Sequence, residues 1–310
     1  MNILIAGLGS IAKKHIAAIR KLVPDAEIYA LRSRKGSATY ENVHNIYELD
    51  FPDSFFDFAI ISNPTSEHAR TVEDLLKLNI PLFIEKPLFG DLNHRELVDK
   101  VRESGIVNYV ACNLRFLDCV QFMKDYVATH PKRVINEVNA YCGSYLPDWR
   151  PGTDYRKCYS ARPELGGGVN IDLIHEIDYV YWIFGAPTDS LGVCRSVSSL
   201  NIEAVDYANY LLFYPNFTAS IVLNYYRRDY KRSLEIVFED DTWRMDLAMN
   251  EITDSQGNIV FRGKIRPIDT YERQMAGFLN LLAENKQAEN NVEQAYDVLK
   301  ICLKYERPQG

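Results

Sequence analysis

Apolar and polar residues follow two different rhythms along this chain. In the first third, short apolar runs alternate with stretches of helical period. Asn2 to Ala6 is an apolar run closed by glycine, the pattern of a strand buried on both faces. Ile11, Ile16, Ile19 and Leu22 then recur at helical spacing. The pair of patterns repeats. Strands are predicted over residues 26–31, 57–61, 80–84 and 107–111, and helices over about 67–78 and 96–103. Strands alternating with helices imply a parallel, doubly wound sheet.

The rhythm changes after about residue 118. A bridging helix is predicted over residues 122–129. Residues 134–141, 206–213, 218–224 and 234–239 then alternate apolar with polar, the period of strands with one covered face. Tyr214-Pro215-Asn216 and Ser255-Gln256-Gly257-Asn258 read as turns between such strands. Two helical stretches, about 271–283 and 292–305, close the pattern. The chain is 310 residues long, more than one ordinary core accommodates. The expectation is an α/β protein of two domains. Residues 1–118 are expected to form the doubly wound domain with its parallel sheet, and residues 119–310 an α+β domain with a mostly antiparallel sheet.

The strand, Gly7-x-Gly9-x-x-Ala12, helix sequence is the dinucleotide fingerprint in the context it requires. Gly7 permits the tight turn, Gly9 lets backbone approach a pyrophosphate, and Ala12 lets helix pack closely on strand. The helix start at Ser10 and Ile11 offers N–H groups to the phosphates. The second strand ends in Leu31-Arg32-Ser33-Arg34-Lys35, with no carboxylate to bind a ribose 2′-hydroxyl. Arg32, Ser33 and Arg34 suit a 2′-phosphate, which favours NADP(H) over NAD(H).

Composition narrows the partners. The net charge is −7 and no long basic run occurs, so nucleic acid and anionic membranes are poor partners. No stretch approaches 18 apolar residues, and the N-terminus begins a strand without a basic or cleavable leader. A cytoplasmic protein is expected. The six cysteines form no C-x-x-C pair, which argues for free thiols rather than a metal or a disulfide framework. The 20 tyrosines fit a sheet-rich second domain.

Two further segments carry chemistry. Lys86, in Glu85-Lys86-Pro87, follows the apolar run at 80–84, and its X–Pro bond is a candidate for cis. Gly166-Gly167-Gly168 precedes a helix read as continuous from Val169 to Phe184 and stopped by Gly185 and Pro187. Its apolar face is Leu173, Ile174, Ile177, Val180, Tyr181 and Phe184. Asp172, His175, Glu176 and Tyr179 share the opposite sector, with Asp172 and His175 one turn apart. A carboxylate beside an imidazole orients it and stabilises its charged form.

These motifs together resemble the glucose–fructose oxidoreductase / inositol dehydrogenase / MocA family. The resemblance runs through Gly7-x-Gly9-x-x-Ala12, Asn63-Pro64-Thr65 with His68, Glu85-Lys86-Pro87, Asn113-Leu114-Arg115-Phe116, and the helix bearing Asp172 and His175. It implies a Rossmann domain, a mixed substrate domain, and homodimers or homotetramers built on the open sheet. It implies hydride transfer between nicotinamide and a secondary alcohol or ketone of a sugar-like substrate. It also implies that Lys86 bonds the reacting oxygen, that His175 is the acid/base, and that Asp172 is its partner carboxylate. Asn63, Pro64, His68 and Glu85 fall to the cofactor side, and Asn113 and Arg115 to the substrate side. The family pattern spaces the two acid–base residues by four, whereas here they are three apart and Glu176 takes the usual histidine position. Glu176 is therefore the alternative acid/base. The helix is similar to those of a sub-branch associated with bacterial surface-sugar pathways.

Ahead of that helix lie Trp149, Arg150 and Arg156. Trp149 suits the face of a sugar, and either arginine suits a carboxylate or phosphate, which points to a nucleotide sugar or an acidic sugar. Two other functions compete: a reductase of a non-sugar substrate, such as a tetrapyrrole or imine, on the biliverdin-reductase plan, and a non-catalytic NADP-binding protein.

Overall fold

The apolar runs of the first third become strands whose residues are buried almost throughout. The computed structural model describes residues 1–306. Its first unit contains β1 (Asn2–Ala6), α1 (Ser10–Leu22), β2 (Glu27–Leu31), β3 (His44–Ile46), β4 (Phe58–Ile61), α2 (His68–Leu76), β5 (Leu82–Glu85), α3 (Arg95–Ser104) and β6 (Asn108–Ala111). The six strands pair in parallel in the order β3-β2-β1-β4-β5-β6. The order reverses between β1 and β4. In open sheets of this kind, ligands bind at such a reversal, outside the carboxyl ends of the strands. β3 was not foreseen, because three residues beginning His44-Asn45 carry no apolar run.

The second unit opens with α4 (Asp118–Thr129) and β7 (Ile135–Tyr145), followed by α5 (Val169–Asp172) and α6 (His175–Phe184). Seven further strands complete it: β8 (Asp189–Arg195), β9 (Tyr207–Phe213), β10 (Thr218–Asn224), β11 (Tyr226–Phe238), β12 (Thr242–Asp246), β13 (Glu251–Thr253) and β14 (Ile259–Arg262). They form one eight-stranded sheet ordered β14-β13-β12-β11-β7-β10-β9-β8. Only the central β7–β10 pair is parallel. The inner face is apolar, with Val138, Ala140, Tyr210, Leu212, Ile221, Leu223, Leu234 and Ile236 buried. The other face carries polar residues with exposed Leu191 and Phe213.

The helix expected from Val169 to Phe184 is two helices. Leu173 leaves helical geometry at φ −102° and ψ 29°, and α6 restarts at His175. Of the polar sector, Glu176 and Tyr179 are buried, and so is Asp178 between them in sequence. Arginines from elsewhere in the unit meet the two carboxylates, which is what makes their burial tolerable.

The two closing helices are α7 (Thr270–Glu284) and α8 (Val292–Leu303). The sequence division placed everything after residue 118 in the second domain. Residues 271–299 instead belong to the first unit, and the second comprises residues 114–270 with residues 300–306. Phe278 packs edge-on against Phe58 and Phe83, at 5.2 and 5.3 Å between ring centres. Asn108 at the start of β6 caps α8 by accepting the Val292 N–H at 2.8 Å. Residues 307–310 of the expected second domain lie outside the described residues.

Candidate active site

The first unit brings most of its site residues to the carboxyl ends of β1, β4 and β5. Gly7 has φ +87°, and a Cβ there would stand 2.7 Å from Asn63 Cα. Gly7 is therefore required both by its backbone angle and by the chain packed on it. A Cβ on Gly9 would meet nothing within 4 Å, so the space beside it is open to a ligand. Gly9 caps α1 without a side-chain bond, and the first turn holds no acidic residue. No acidic side chain of the first turn thus repels an anion approaching the N–H groups at the start of α1. Ala12 is fully buried. These features fit a dinucleotide pyrophosphate.

At the end of β2 the Arg32 guanidinium donates to Ala38 O and Asn45 Oδ1, each at 3.1 Å. Ser33 and Arg34 are exposed. Asn63 donates to Thr71 Oγ1 at 2.8 Å, and Pro64 starts a 3-10 turn over Thr65–Glu67. His68 is buried to 1 %. Its Nδ1 lies 3.0 and 3.1 Å from the carbonyls of Pro87 and Leu88, and its Nε2 3.1 Å from Asn63 O. Burial holds its pKa below the ordinary histidine value against the pull of those carbonyls. Its ring braces two backbone segments rather than facing a cofactor.

The Lys86–Pro87 peptide is cis. Glu85 is 8 % exposed. One of its oxygens accepts the Lys86 N–H at 3.2 Å and the other lies 2.5 Å from His15 Nε2. The Lys86 side chain is half-buried, and so is Asn113 in the 3-10 turn after β6.

In the second unit the glycine triplet is explained by crowding. A Cβ on Gly167 would stand 2.1 Å from the Tyr159 carbonyl, and Gly168 has φ +146°. The chain can therefore enter α5 only with glycine at these positions. Asp172 ends α5, and its Oδ2 accepts a 2.5 Å hydrogen bond from the Tyr225 hydroxyl. Tyr225 is fully buried. Burial and the adjacent carboxylate push its pKa well above the usual tyrosine range, so it stays a donor. His175, half-buried, begins α6.

Glu176 has no exposed side-chain surface, and both its oxygens accept from Arg232, at 2.5 and 3.0 Å. A carboxylate so enclosed is a structural partner, which removes it as the alternative acid/base. Arg115 departs from its expected substrate role for the same reason. It is 4 % exposed and donates to both Asp178 oxygens at 2.8 and 2.6 Å, with Trp182 over its guanidinium at 5.3 Å. Trp149 is 39 % exposed, donates to Ser144 Oγ at 3.0 Å and meets Tyr225 edge-on. Trp149 and Arg150 line one small cavity with Thr153, Tyr155, Cys158 and Ser160. Arg156 does not line it; it is exposed and stacks on Tyr155 at 4.8 Å.

The sequence matches the oxidoreductase family with an NAD-binding Rossmann fold over residues 1–111, and the GFO/IDH/MocA C-terminal domain over residues 133–244. The chain belongs to the GFO/IDH/MocA oxidoreductase family. No curated protein sequence matched it. Among solved structures, UDP-N-acetylglucosamine 3-dehydrogenase GnnA from Acidithiobacillus ferrooxidans is 18 % identical, covering 98 % of this chain and 96 % of that one, with TM-score 0.79. The WlbA dehydrogenase from Bordetella pertussis, in complex with NADH and UDP-GlcNAcA, is 17 % identical at TM-score 0.77, with coverage of 98 % and 94 %. Scyllo-inositol dehydrogenase from Lactobacillus casei, with NAD(H) and scyllo-inositol, is 19 % identical at TM-score 0.78, with coverage of 98 % and 95 %. At these identities the likeness shows the fold.

Within this GFO/IDH/MocA chain, sequence reasoning missed His15, Tyr225, Arg232 and Asp178. His15 left a signal, since it occupies a buried position of α1 among Ala12, Ile16 and Ile19. A polar residue on an apolar stripe implies a buried partner. Tyr225 and Arg232 left none, because their partners lie more than fifty residues away.

Proposed function

We propose that this GFO/IDH/MocA oxidoreductase is an NAD(P)-dependent dehydrogenase or reductase acting on a secondary alcohol or ketone of a sugar or nucleotide sugar. The observation that carries the reading is the contrast among three carboxylates. Both oxygens of Glu176 and of Asp178 accept from arginines and serve the fold, whereas Asp172 Oδ2 accepts from the Tyr225 hydroxyl at the end of α5, three residues before His175 opens α6.

The bound nicotinamide supplies the hydride chemistry. In the oxidising direction His175 takes the substrate hydroxyl proton, and Asp172 stabilises the resulting imidazolium. Lys86 donates to the oxygen as it becomes a carbonyl, and in reduction as negative charge develops there. Gly9, Ser10 and Ile11 would hold the pyrophosphate. Trp149 and Arg150 offer a ring face and a cation to the sugar portion. The nucleotide-sugar names of GnnA and WlbA support that substrate class.

For the cofactor, the carboxylate-free strand end and exposed Arg34 support NADP(H), while the scyllo-inositol dehydrogenase and WlbA structures hold NAD(H) and NADH. Titration with NADPH against NADH decides it. Tighter NADPH binding that is lost in Arg34→Asp is expected, and a clear preference for NADH refutes the phosphate reading. The exposed apolar side chains on the outer sheet face support a homodimer or homotetramer.

Lys86→Ala tests the chemistry. Turnover should fall by about 10²–10³-fold, the cost of removing a donor at a charge-developing oxygen. Dinucleotide affinity should stay nearly intact. A panel of sugars and nucleotide sugars with either cofactor supplies the assay. Wild-type turnover in Lys86→Ala sinks the assignment.

A further inference from the structure

His15 has no exposed surface and lies on the buried face of α1. Phe83 and Tyr271 meet its ring edge-on at 4.9 and 6.0 Å. Its Nδ1 is buried with no partner among the described residues, so the 2.5 Å contact of Nε2 with Glu85 is the ring's polar anchor. Glu85 is itself almost wholly buried, and its other oxygen holds the Lys86 N–H. A carboxylate in that position requires donors at both oxygens, because a buried unpaired charge is costly. With Glu85 ionised, His15 Nε2 is the donor.

The segment is gripped on its far side as well. His68 Nδ1 lies within hydrogen-bond distance of the Pro87 and Leu88 carbonyls and Nε2 of Asn63 O, and the neutral ring donates from one of the two nitrogens while packing against both segments. Asn63 is the residue packed against Gly7. Lys86 therefore sits between two braces, and both lead back to the glycine loop. One runs through Glu85 to His15 in the helix that the loop begins. The other runs through His68 and Asn63 to Gly7.

We propose that His15 is a positioning residue for Lys86, fixing the lysine-bearing turn through Glu85 to the helix that starts at the glycine loop. The cofactor's phosphate site and the lysine then share one rigid frame. The proposal rests on the reading of Lys86 as the donor to the reacting oxygen.

The test uses the full chain with His15→Phe, which keeps a ring and deletes the donor, and His15→Gln, which returns an N–H toward Glu85. Amide hydrogen exchange at Lys86 needs neither substrate nor cofactor. Exchange should quicken at least about tenfold in His15→Phe, the loss of a hydrogen bond to a charged group, and recover in His15→Gln. Turnover should fall in His15→Phe with KM little changed, and recover likewise. Leu75→Ala, a cavity in α2, is the control for general destabilisation. If His15→Phe raises Lys86 exchange no more than Leu75→Ala of equal stability, His15 is packing alone and the proposal falls. Should His15→Phe not fold, His15→Asn, too short to reach Glu85, must show the same quickening. Turnover lost in Lys86→Ala but exchange unmoved in His15→Phe overturns this proposal alone. Wild-type turnover in Lys86→Ala overturns it together with the functional reading.

Discussion

Asp172 lies just before the helix break at Leu173, Glu176 and Asp178 just after it, and each is defined by what it touches. Glu176 and Asp178 meet guanidiniums out of water, so removing either partner strands a buried charge. Arg115→Met should cost about 3–5 kcal/mol of stability by urea unfolding. A loss below about 1 kcal/mol, the range of exposed pairs, contradicts a structural role. Asp172→Asn should instead leave stability close to wild type and abolish most turnover. His68 adds a pH effect. Burial lowers its pKa in the fold, so the stability it contributes is present above the unfolded value of 6.5 and is lost as pH falls through the folded value. Below pH 6.5 the unfolding midpoint should drop, and His68→Gln should flatten that slope. Lys86 and His175 were legible in the sequence as types of chemistry. The brace at His15 and the phenol at Tyr225 were not, because pairings over long separations leave no local pattern.

At the scale of elements, periodicity revealed strands whose buried face is large and apolar. The Rossmann strands other than β3, together with β7, β9, β10 and β11, are of this kind. β8 escaped because its pattern is inverted: Ser190, Gly192 and Cys194 face inward while Leu191 is exposed. The helix break at Leu173 escaped because Leu173 and Ile174 fit the apolar stripe whether or not the backbone bends. Crowding by the 159–162 segment was equally invisible, although the glycines that answer it were plain. Gly7→Ala tests the parallel case in the first unit. Its methyl would overlap Asn63, so lost dinucleotide binding and a lowered melting temperature are expected. An unchanged melting temperature would mean that the packing of Gly7 on Asn63 yields cheaply.

Across the whole molecule, all six cysteines are free thiols, and only Cys158 is not buried. Burial pushes Cys119 and Cys142 up from 9.0 to about 12. They should resist thiol reagents in the native state and react on unfolding. Their raised values favour the fold below the unfolded pKa, so stability should decline as pH rises from about 9 toward 12. The division of the chain was only half legible, since residues 271–299 look like any amphipathic helical tail. Their return to the first unit has a consequence for biosynthesis. The strands through Ala111 leave the ribosome early, but the ring of Phe278 that covers Phe58 and Phe83 arrives much later. At 5–20 residues per second the delay between Asn113 and Leu299 is roughly ten to forty seconds. For that interval the nascent sheet shows a bare aromatic flank, a natural landing place for a chaperone.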